Sequence, residues 1–255
     1  MRKIIHLSDI HIGYKDMGTR FDRIVTQMIF HNCPGNHYLV LITGDMVDDA
    51  TKDGSYEEAC FQISRLKKEG FRVLTVPGNH DYGSGVLGHP KYVEKYKEYF
   101  FEDISISYPK LDLVGNIALL GLDSMAEELH WYDRVFAEGE LGDRQLERLK
   151  NLLESDSVQK AACRVVYLHH HPFHPTPAHH LKDSEKLGAI LKQYPVDALL
   201  FGHNHEGKVW NGEWGIKRVY DAGSATGKGG KVGPHRIIDL SKDPFFDYDA
   251  QFSAA

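Results

Sequence analysis

The stretch Lys3-Ile4-Ile5-His6-Leu7-Ser8-Asp9-Ile10-His11, "KIIHLSDIH", starts as an apolar, β-branched run and stops abruptly at a polar cluster. A run this short, bounded by polar residues, reads as a buried strand. Asp9 and His11 are thereby placed at the strand's carboxyl end. A helical pattern follows over residues 19–31, with Phe21, Ile24, Val25, Met28 and Ile29 on one face. The unit then repeats. Strand 38–43 stops at Gly44-Asp45-Met46-Val47-Asp48-Asp49, a helix covers 55–69 up to Gly70, and strand 72–76 stops at Pro77-Gly78-Asn79-His80-Asp81.

Farther on, strand 164–168 runs into His169-His170-His171-Pro172, and strand 196–201, after a helix over 184–193, ends in Gly202-His203-Asn204-His205. Between these lie a helix at 91–101, strands at 104–108, 111–114 and 117–122, and an amphipathic helix at 143–154. Strand-like segments at 208–210, 217–221 and 236–240 close the chain. No repeat, linker or low-complexity segment interrupts the pattern. The expectation is one domain over 1–255, with 206–255 as closing strands and a tail. Alternating βα units followed by hairpin-like strands predict a layered α/β sandwich. Ligands of such sheets bind beyond the carboxyl ends of the strands, so the five polar clusters are expected to converge on one rim.

Composition narrows the function. The chain is 42% hydrophobic and 26% charged, ordinary for a globular protein with a real core. Its net charge of −6 disfavours a general nucleic-acid binder. No window approaches the ~20 apolar residues of a membrane span, and the run at 4–7 is too short for a signal peptide. Cys33, Cys60 and Cys163 are odd in number, far apart and without CxxC spacing, so they are expected to be reduced, buried thiols of a cytoplasmic protein.

The donors at the strand ends are carboxylate and amide oxygens and imidazole nitrogens, with no thiolate. That set suits Mn, Fe, Co or Zn and disfavours a closed Cys–zinc site. There are more donors than one four-coordinate ion needs, which implies two ions sharing a carboxylate. Two ions about 3.5–4 Å apart clamp the attacking and leaving oxygens at phosphorus. Taken singly, Asp-x-His or Gly-Asp is an ordinary turn. The specificity lies in all five clusters occurring in this order at strand ends.

Through Asp9-x-His11, Gly44-Asp45, Gly78-Asn79-His80-Asp81, a histidine near 170 and Gly202-His203-x-His205, the sequence resembles the calcineurin-like metallophosphoesterases. The resemblance spans residues 5–205 and is weakest after about 225. It implies a four-layer αββα sandwich of two mixed β-sheets flanked by helices, and two divalent transition-metal ions (Mn, Fe or Zn). By that resemblance Asp9, His11 and His205 hold one ion, Asn79, a histidine of the 169–171 run and His203 hold the other, and Asp45 bridges. The family's histidine usually stands two residues before a proline, which selects His170, with His169 the register alternative. His80 is then the non-ligand catalytic histidine, and Asp81 is expected to orient it by a hydrogen bond.

The implied reaction is hydrolysis of a small-molecule phosphate ester. The ions acidify a bridging water, and the resulting hydroxide attacks in line while His80 protonates the leaving oxygen. The chain looks most like the class III cyclic-nucleotide phosphodiesterase and glycerophosphodiesterase branch. The alternatives are a phosphomonoesterase, a nucleotide or lipid-sugar pyrophosphohydrolase, and, from another class, a catalytically silent scaffold. A DNA-repair nuclease is disfavoured, because such chains carry an added DNA-contacting region.

Several features stand outside this set. Asp48 is expected to hydrogen-bond behind the ligands. His171 is expected to pack or face solvent, and His174, His179 and His180 to lie in a solvated loop. Gly223-Ser224-Ala225-Thr226-Gly227-Lys228 has one residue too few between its glycines for a P-loop, and Gly229 where Ser or Thr should stand. It reads as a loop from which Lys228 has a side role at the substrate phosphate. Asp16 and Arg20 read as a solvated helix start, with pocket lining as the alternative. The tail 244–255, carrying Phe245, Phe246, Tyr248 and Phe252, packs on the body or meets another subunit.

Overall fold

In a computed structural model, which describes residues 3–85, 88–125, 138–174, 176, 180–241 and 246–252, the opening run forms strand β1 (Lys3–Leu7). His179, Pro244 and Phe245 lie outside the described residues. The next two runs form β2 (Tyr38–Thr43) and β3 (Arg72–Val76), parallel to β1 and reached through helices α1 (Met17–Asn32) and α2 (Ser55–Lys68). Helix α3 (Pro90–Phe101) leads to β4 (Lys110–Val114) and β5 (Ile117–Gly121). Helices α4 (Asp143–Glu154) and α5 (Asp156–Gln159) precede β6 (Cys163–Tyr167), and α6 (Ser184–Gln193) precedes β7 (Ala198–Phe201). The short β8 (Val209–Trp210) and β9 (Arg218–Asp221) complete a sheet of order β4-β5-β6-β7-β9-β8. Strands β10 (Arg236–Asp239) and β11 (Phe246–Asp249) return antiparallel beside β1, giving the other sheet the order β11-β10-β1-β2-β3.

Both sheets are mixed, and alternation along each strand divides their side chains among three apolar layers. Ile4, Leu39, Leu41 and Val76 from one sheet meet Leu119, Val165, Tyr167 and Leu200 from the other. On the far side of the first sheet, Ile5, Leu7, Val40 and Ile42 pack against Phe21, Ile24, Val25, Ile63 and Leu66 of α1 and α2. On the far side of the second, Ala118, Leu120, Val166 and Leu199 pack against Leu146, Leu149, Leu187 and Leu191 of α4 and α6. The order of layers is therefore α, β, β, α, as the sequence implies. The parallel strands of both sheets end on the same rim, where the polar clusters begin.

Two expectations are corrected, and the tail takes one of its two expected courses. Residues 104–108 are not a strand. Ser105 donates its amide and hydroxyl to Asp103 Oδ1, at 2.9 and 2.6 Å, folding the segment into a turn that leaves Ile104 exposed. The three thiols are free, but Cys33 is exposed and Cys60 only half-buried. The described part of the tail, 246–252, packs on the body through β11 and through Phe252, which is buried and stacked on the His235 ring at 5.7 Å. Among the described residues no helix is long and apolar enough to cross a membrane.

Candidate metal centre

Asp9, His11, Asp45, His203 and His205 all have positive φ, of 53°, 56°, 52°, 77° and 58°. Non-glycine residues avoid this region at about 1–3 kcal/mol each, and such strain clusters at functional sites. Here it turns each chain sharply as it leaves its strand and aims the side chains over the rim. The surroundings enforce the turns. The amides of Ile10 and His11 both donate to the Asp45 carbonyl, at 2.9 and 3.0 Å, and Asp9 N donates to Gly44 O at 3.1 Å. Gly44 itself has φ of 91°, and a Cβ there would lie 2.5 Å from His169 Nδ1.

The donors form two adjoining sets. In the first, His205 Nε2 is 3.1 Å from Asp9 Oδ1 and 3.4 Å from His11 Nε2. Two imidazole nitrogens facing each other at that distance beside a carboxylate are the arrangement expected around a shared cation. In the second, His169 Nε2 is 3.1 Å from Asn79 Oδ1 and 3.2 Å from His203 Nδ1. Asp45 stands between them, with Oδ2 3.7 Å from His11 Nε2 and Oδ1 3.5 Å from His169 Nε2. Grouped by proximity, the donor atoms of Asp9, His11 and His205, and those of Asp9, Asp45 and His169, lie within 4.8 Å of one another.

Neighbouring hydrogen bonds prepare these donors. His169 Nδ1 donates to the Thr43 carbonyl at 2.7 Å, which leaves Nε2 as the lone-pair nitrogen facing Asn79. Asn79 Nδ2 is spent on the Gly85 carbonyl at 2.8 Å, so its oxygen is the atom turned inward. Asp9 Oδ2 accepts the His203 amide at 3.0 Å, and Asp45 Oδ1 accepts the His80 amide at 3.0 Å.

Electrostatics follow from this crowding. Burial pushes the Asp9 carboxyl up, but His205, His169 and His11 outweigh it and hold the group well below the usual carboxylate range. Asp45 is likewise pushed up by burial and brought down, to about 2, by His169, His80 and His11. Burial lowers His11 to about 3, keeping it neutral and able to ligate. Burial lowers His169 and His205, but the charges of Asp45 and Asp9 outweigh it and raise both, so a cation binding there would displace protons from them. The ionised carboxylates and imidazole nitrogens are a donor set that fits divalent cations.

His169, rather than His170, touches both Asn79 and Asp45. The pleat explains it: Val165 and Tyr167 face the other sheet, Val166 and Leu168 face the helices, and His169 keeps the parity of Tyr167. His170 is also buried. It bonds Ser124 Oγ through Nδ1 at 2.8 Å and lies against His203, ring centroids 4.4 Å apart, close enough to join His169 and His203 in a third donor group. His171 packs among Phe173, Phe201 and Trp210, where burial lowers it to about 4. His180 bonds Ser184 Oγ and the His174 carbonyl.

His80 sits beside His11 with ring centroids 4.8 Å apart, and its donor atom groups with those of His11 and Asp45. The expected hydrogen bond from Asp81 to His80 is not there. Asp81 accepts the amides of Gly78 and Val47, at 2.9 and 3.1 Å, and so braces the turn that carries Asn79 and His80. Burial and the Asp45 charge push it up to about 7. His80 Nδ1 instead donates to the Asp48 carbonyl at 2.5 Å. Sequence reasoning missed this link and the role of Ser224 and Thr226, whose hydroxyls donate to the carbonyls of Asp9 and Ile10, at 2.9 and 2.8 Å. Arg20 bonds Asp16 and the Thr226 carbonyl, tying α1 to the same loop.

A family model described as calcineurin-like phosphoesterase matches residues 2–207. Two curated relatives align with the chain, each named a probable cyclic nucleotide phosphodiesterase. The one from Coxiella burnetii is 28% identical over 80% of this chain and 75% of its own length. The one from Rhodococcus erythropolis is 25% identical over 79% of this chain and 64% of its own. Among solved structures, TT1561 of Thermus thermophilus superposes with a TM-score of 0.59 at 13% identity, covering 97% of this chain and 98% of that one. GAP50, titled the anchor in the inner membrane complex of Plasmodium, superposes with a TM-score of 0.64 at 15% identity over 99% and 86%. At such identities the structural likeness concerns the fold alone.

Proposed function

The chain belongs to the calcineurin-like phosphoesterase family and is a hydrolase of phosphoric esters; from that premise we propose that it is a dinuclear-metal phosphodiesterase acting on a small diester such as a cyclic nucleotide. The observation that carries this reading is Asp45, with Oδ2 facing His11 of the Asp9–His11–His205 set and Oδ1 facing His169, which itself meets Asn79 and His203. A carboxylate so placed suits two ions, and the names of the two curated relatives support a diester substrate. In this proposal the ligands are Asp9, His11, Asp45, Asn79, His169, His203 and His205, with His169 taking the position that counting from Pro172 gives to His170.

When bound, the ions would supply Lewis acidity for the phosphoryl oxygens and for activation of water. The chain's own residues do the rest. Gly44 and the Thr43 carbonyl hold the His169 ring in place, and the Gly85 carbonyl holds the Asn79 amide. His80, its Nδ1–H anchored on Asp48, carries a proton on Nε2 when protonated and hands it to the leaving alkoxide. Such help is worth roughly 10²–10⁴-fold for a poor leaving group. Asp81 keeps the turn beneath it rigid.

The test is turnover of 3′,5′-cyclic AMP and cyclic GMP by manganese-loaded protein, with nucleoside monophosphate as product and bound metal counted per chain. Product formation that chelation abolishes, with two ions per chain, is the expected result. Two ions with turnover of a phosphomonoester only would replace the diesterase by a phosphomonoesterase. Two ions with no turnover of either would favour the scaffold or a narrow pyrophosphohydrolase.

A further inference from the structure

The segment after β9, Gly223-Ser224-Ala225-Thr226-Gly227-Lys228, is bound tightly to the first motif. Besides the two hydroxyl bonds to Asp9 and Ile10, Ala225 N donates to Ser8 O at 2.8 Å. Ser224 Oγ also accepts the amides of Gly227 and Lys228, at 3.1 and 3.0 Å, so the backbone of Lys228 is fixed. Its side chain then reaches back behind the ligands. Lys228 Nζ is 2.6 Å from Asp48 Oδ1 and 3.1 Å from His11 Nδ1, and lies 5.3 Å from the centre of the Tyr14 ring.

Asp48 is the hub of this cluster. Its carbonyl takes the His80 Nδ1–H, and its carboxylate lies 3.5 Å from His11 Nδ1. Lys228 Nζ, a donor only, is within hydrogen-bond reach of His11 Nδ1, while the Asp48 carboxylate at 3.5 Å is the acceptor beside that nitrogen for the tautomer that carries its hydrogen there and ligates through Nε2. That carboxylate has lone pairs for both His11 and Lys228. Lys52, 3.9 Å away and half-exposed, is a weaker second cation. The ammonium of Lys228 is thus shared between Asp48 Oδ1 and His11 Nδ1, behind His11 from the metal side.

We propose that Lys228 is a positioning residue: by clamping Asp48 it fixes together the ring of the ligand His11 and the ring of the proton donor His80. This rests on the phosphodiesterase reading above for the part that concerns His80. It replaces the expectation that Lys228 touches the substrate phosphate. The residue acts across 180 positions of sequence and belongs to none of the five motifs.

The experiment compares wild type, Lys228→Met and Lys228→Arg in three measurements: manganese affinity by chelator competition without substrate, thermal stability, and kinetics on two diesters. Bis(p-nitrophenyl) phosphate has a good leaving group, while a 3′,5′-cyclic nucleotide expels an alkoxide. Lys228→Met should bind manganese several-fold more weakly. It should lose about tenfold in kcat on the cyclic nucleotide, a fraction of the general-acid contribution, but about twofold or less on the other diester, with KM little changed. Lys228→Arg, which keeps a cation on Asp48, should recover most of both losses. A rise in KM on both substrates with kcat unchanged would make Lys228 a substrate contact and overturn the proposal. Unchanged manganese affinity, or equal losses on both diesters that merely follow a lower melting temperature, would also overturn it. Wild-type silence on both diesters would sink the phosphodiesterase reading, while the metal arm would still judge the clamp.

Discussion

His169 Nε2 lies 3.1 Å from Asn79 Oδ1, joining the end of β6 to the turn after β3 across the two sheets. The contact is prepared from both sides, since the Thr43 carbonyl fixes the imidazole tautomer and the Gly85 carbonyl takes the amide hydrogens. His170, one residue on, turns toward Ser124.

Substituting the two histidines separately therefore gives different outcomes. His169→Ala should lose one of two ions and about 10²-fold or more in kcat, the scale set by removing a group that stabilises transition-state charge. His170→Ala should keep both ions and most activity. Metal content by elemental analysis decides between them, and the opposite pattern would return the ligand role to His170.

The strands that carry the polar clusters and the layered α/β class were legible because apolar runs stopping at polar clusters report both the pleat and the rim, while the four-layer order came with the family resemblance. Which histidine reaches Asn79 and Asp45 was not legible, because counting back from Pro172 ignores the pleat. Counting forward from Tyr167, whose parity faces the other sheet, selects His169. The turn at Asp103 was mistaken for a strand because Ile104 and Ile106 alternate with serines, while the short-range Asx bond to Ser105 leaves no period to detect. The Asp48–Lys228 pair was invisible for a different reason. Long-range polar contacts carry no local pattern.

Gly44→Ala should destabilise the protein and weaken metal retention together. The residue would have to hold φ near 91° and keep its Cβ where His169 Nδ1 and the Gly78 amide now approach to 2.5 and 2.9 Å. A loss of about 1–3 kcal/mol in chemical denaturation is expected from the backbone alone. An unaffected midpoint would mean that the rim is looser than these distances imply.

His80→Ala should retain both ions and slow turnover of alkoxide-leaving substrates by about 10²-fold, with a smaller effect on p-nitrophenolate. Loss of metal in this variant would identify His80 as a ligand, a role its proximity to His11 and Asp45 also permits.

Asp221, at the end of β9, is raised to about 7 by burial, with the charges of Asp9 and Glu206 adding to the shift and the Gly223 amide opposing it. A carboxyl whose folded pKa lies above its unfolded value binds the proton more tightly when folded. Its contribution to stability is complete below the ordinary carboxylate pKa of about 3.9 and is lost as pH rises toward 7. Asp221→Asn, which keeps the acceptor for Gly223 N, should raise the melting temperature at pH 8 and change it little at pH 4. Equal shifts at both pH values would show that the charge is not the cause.

The most direct test of the central claim is the initial rate of manganese-loaded protein on bis(p-nitrophenyl) phosphate and p-nitrophenyl phosphate, side by side, with Asp45→Asn as control. Faster turnover of the diester, abolished in the control, is the result expected if Asp45 joins two ions in a phosphodiesterase. Preference for the monoester, or a control as active as the wild type, would contradict it.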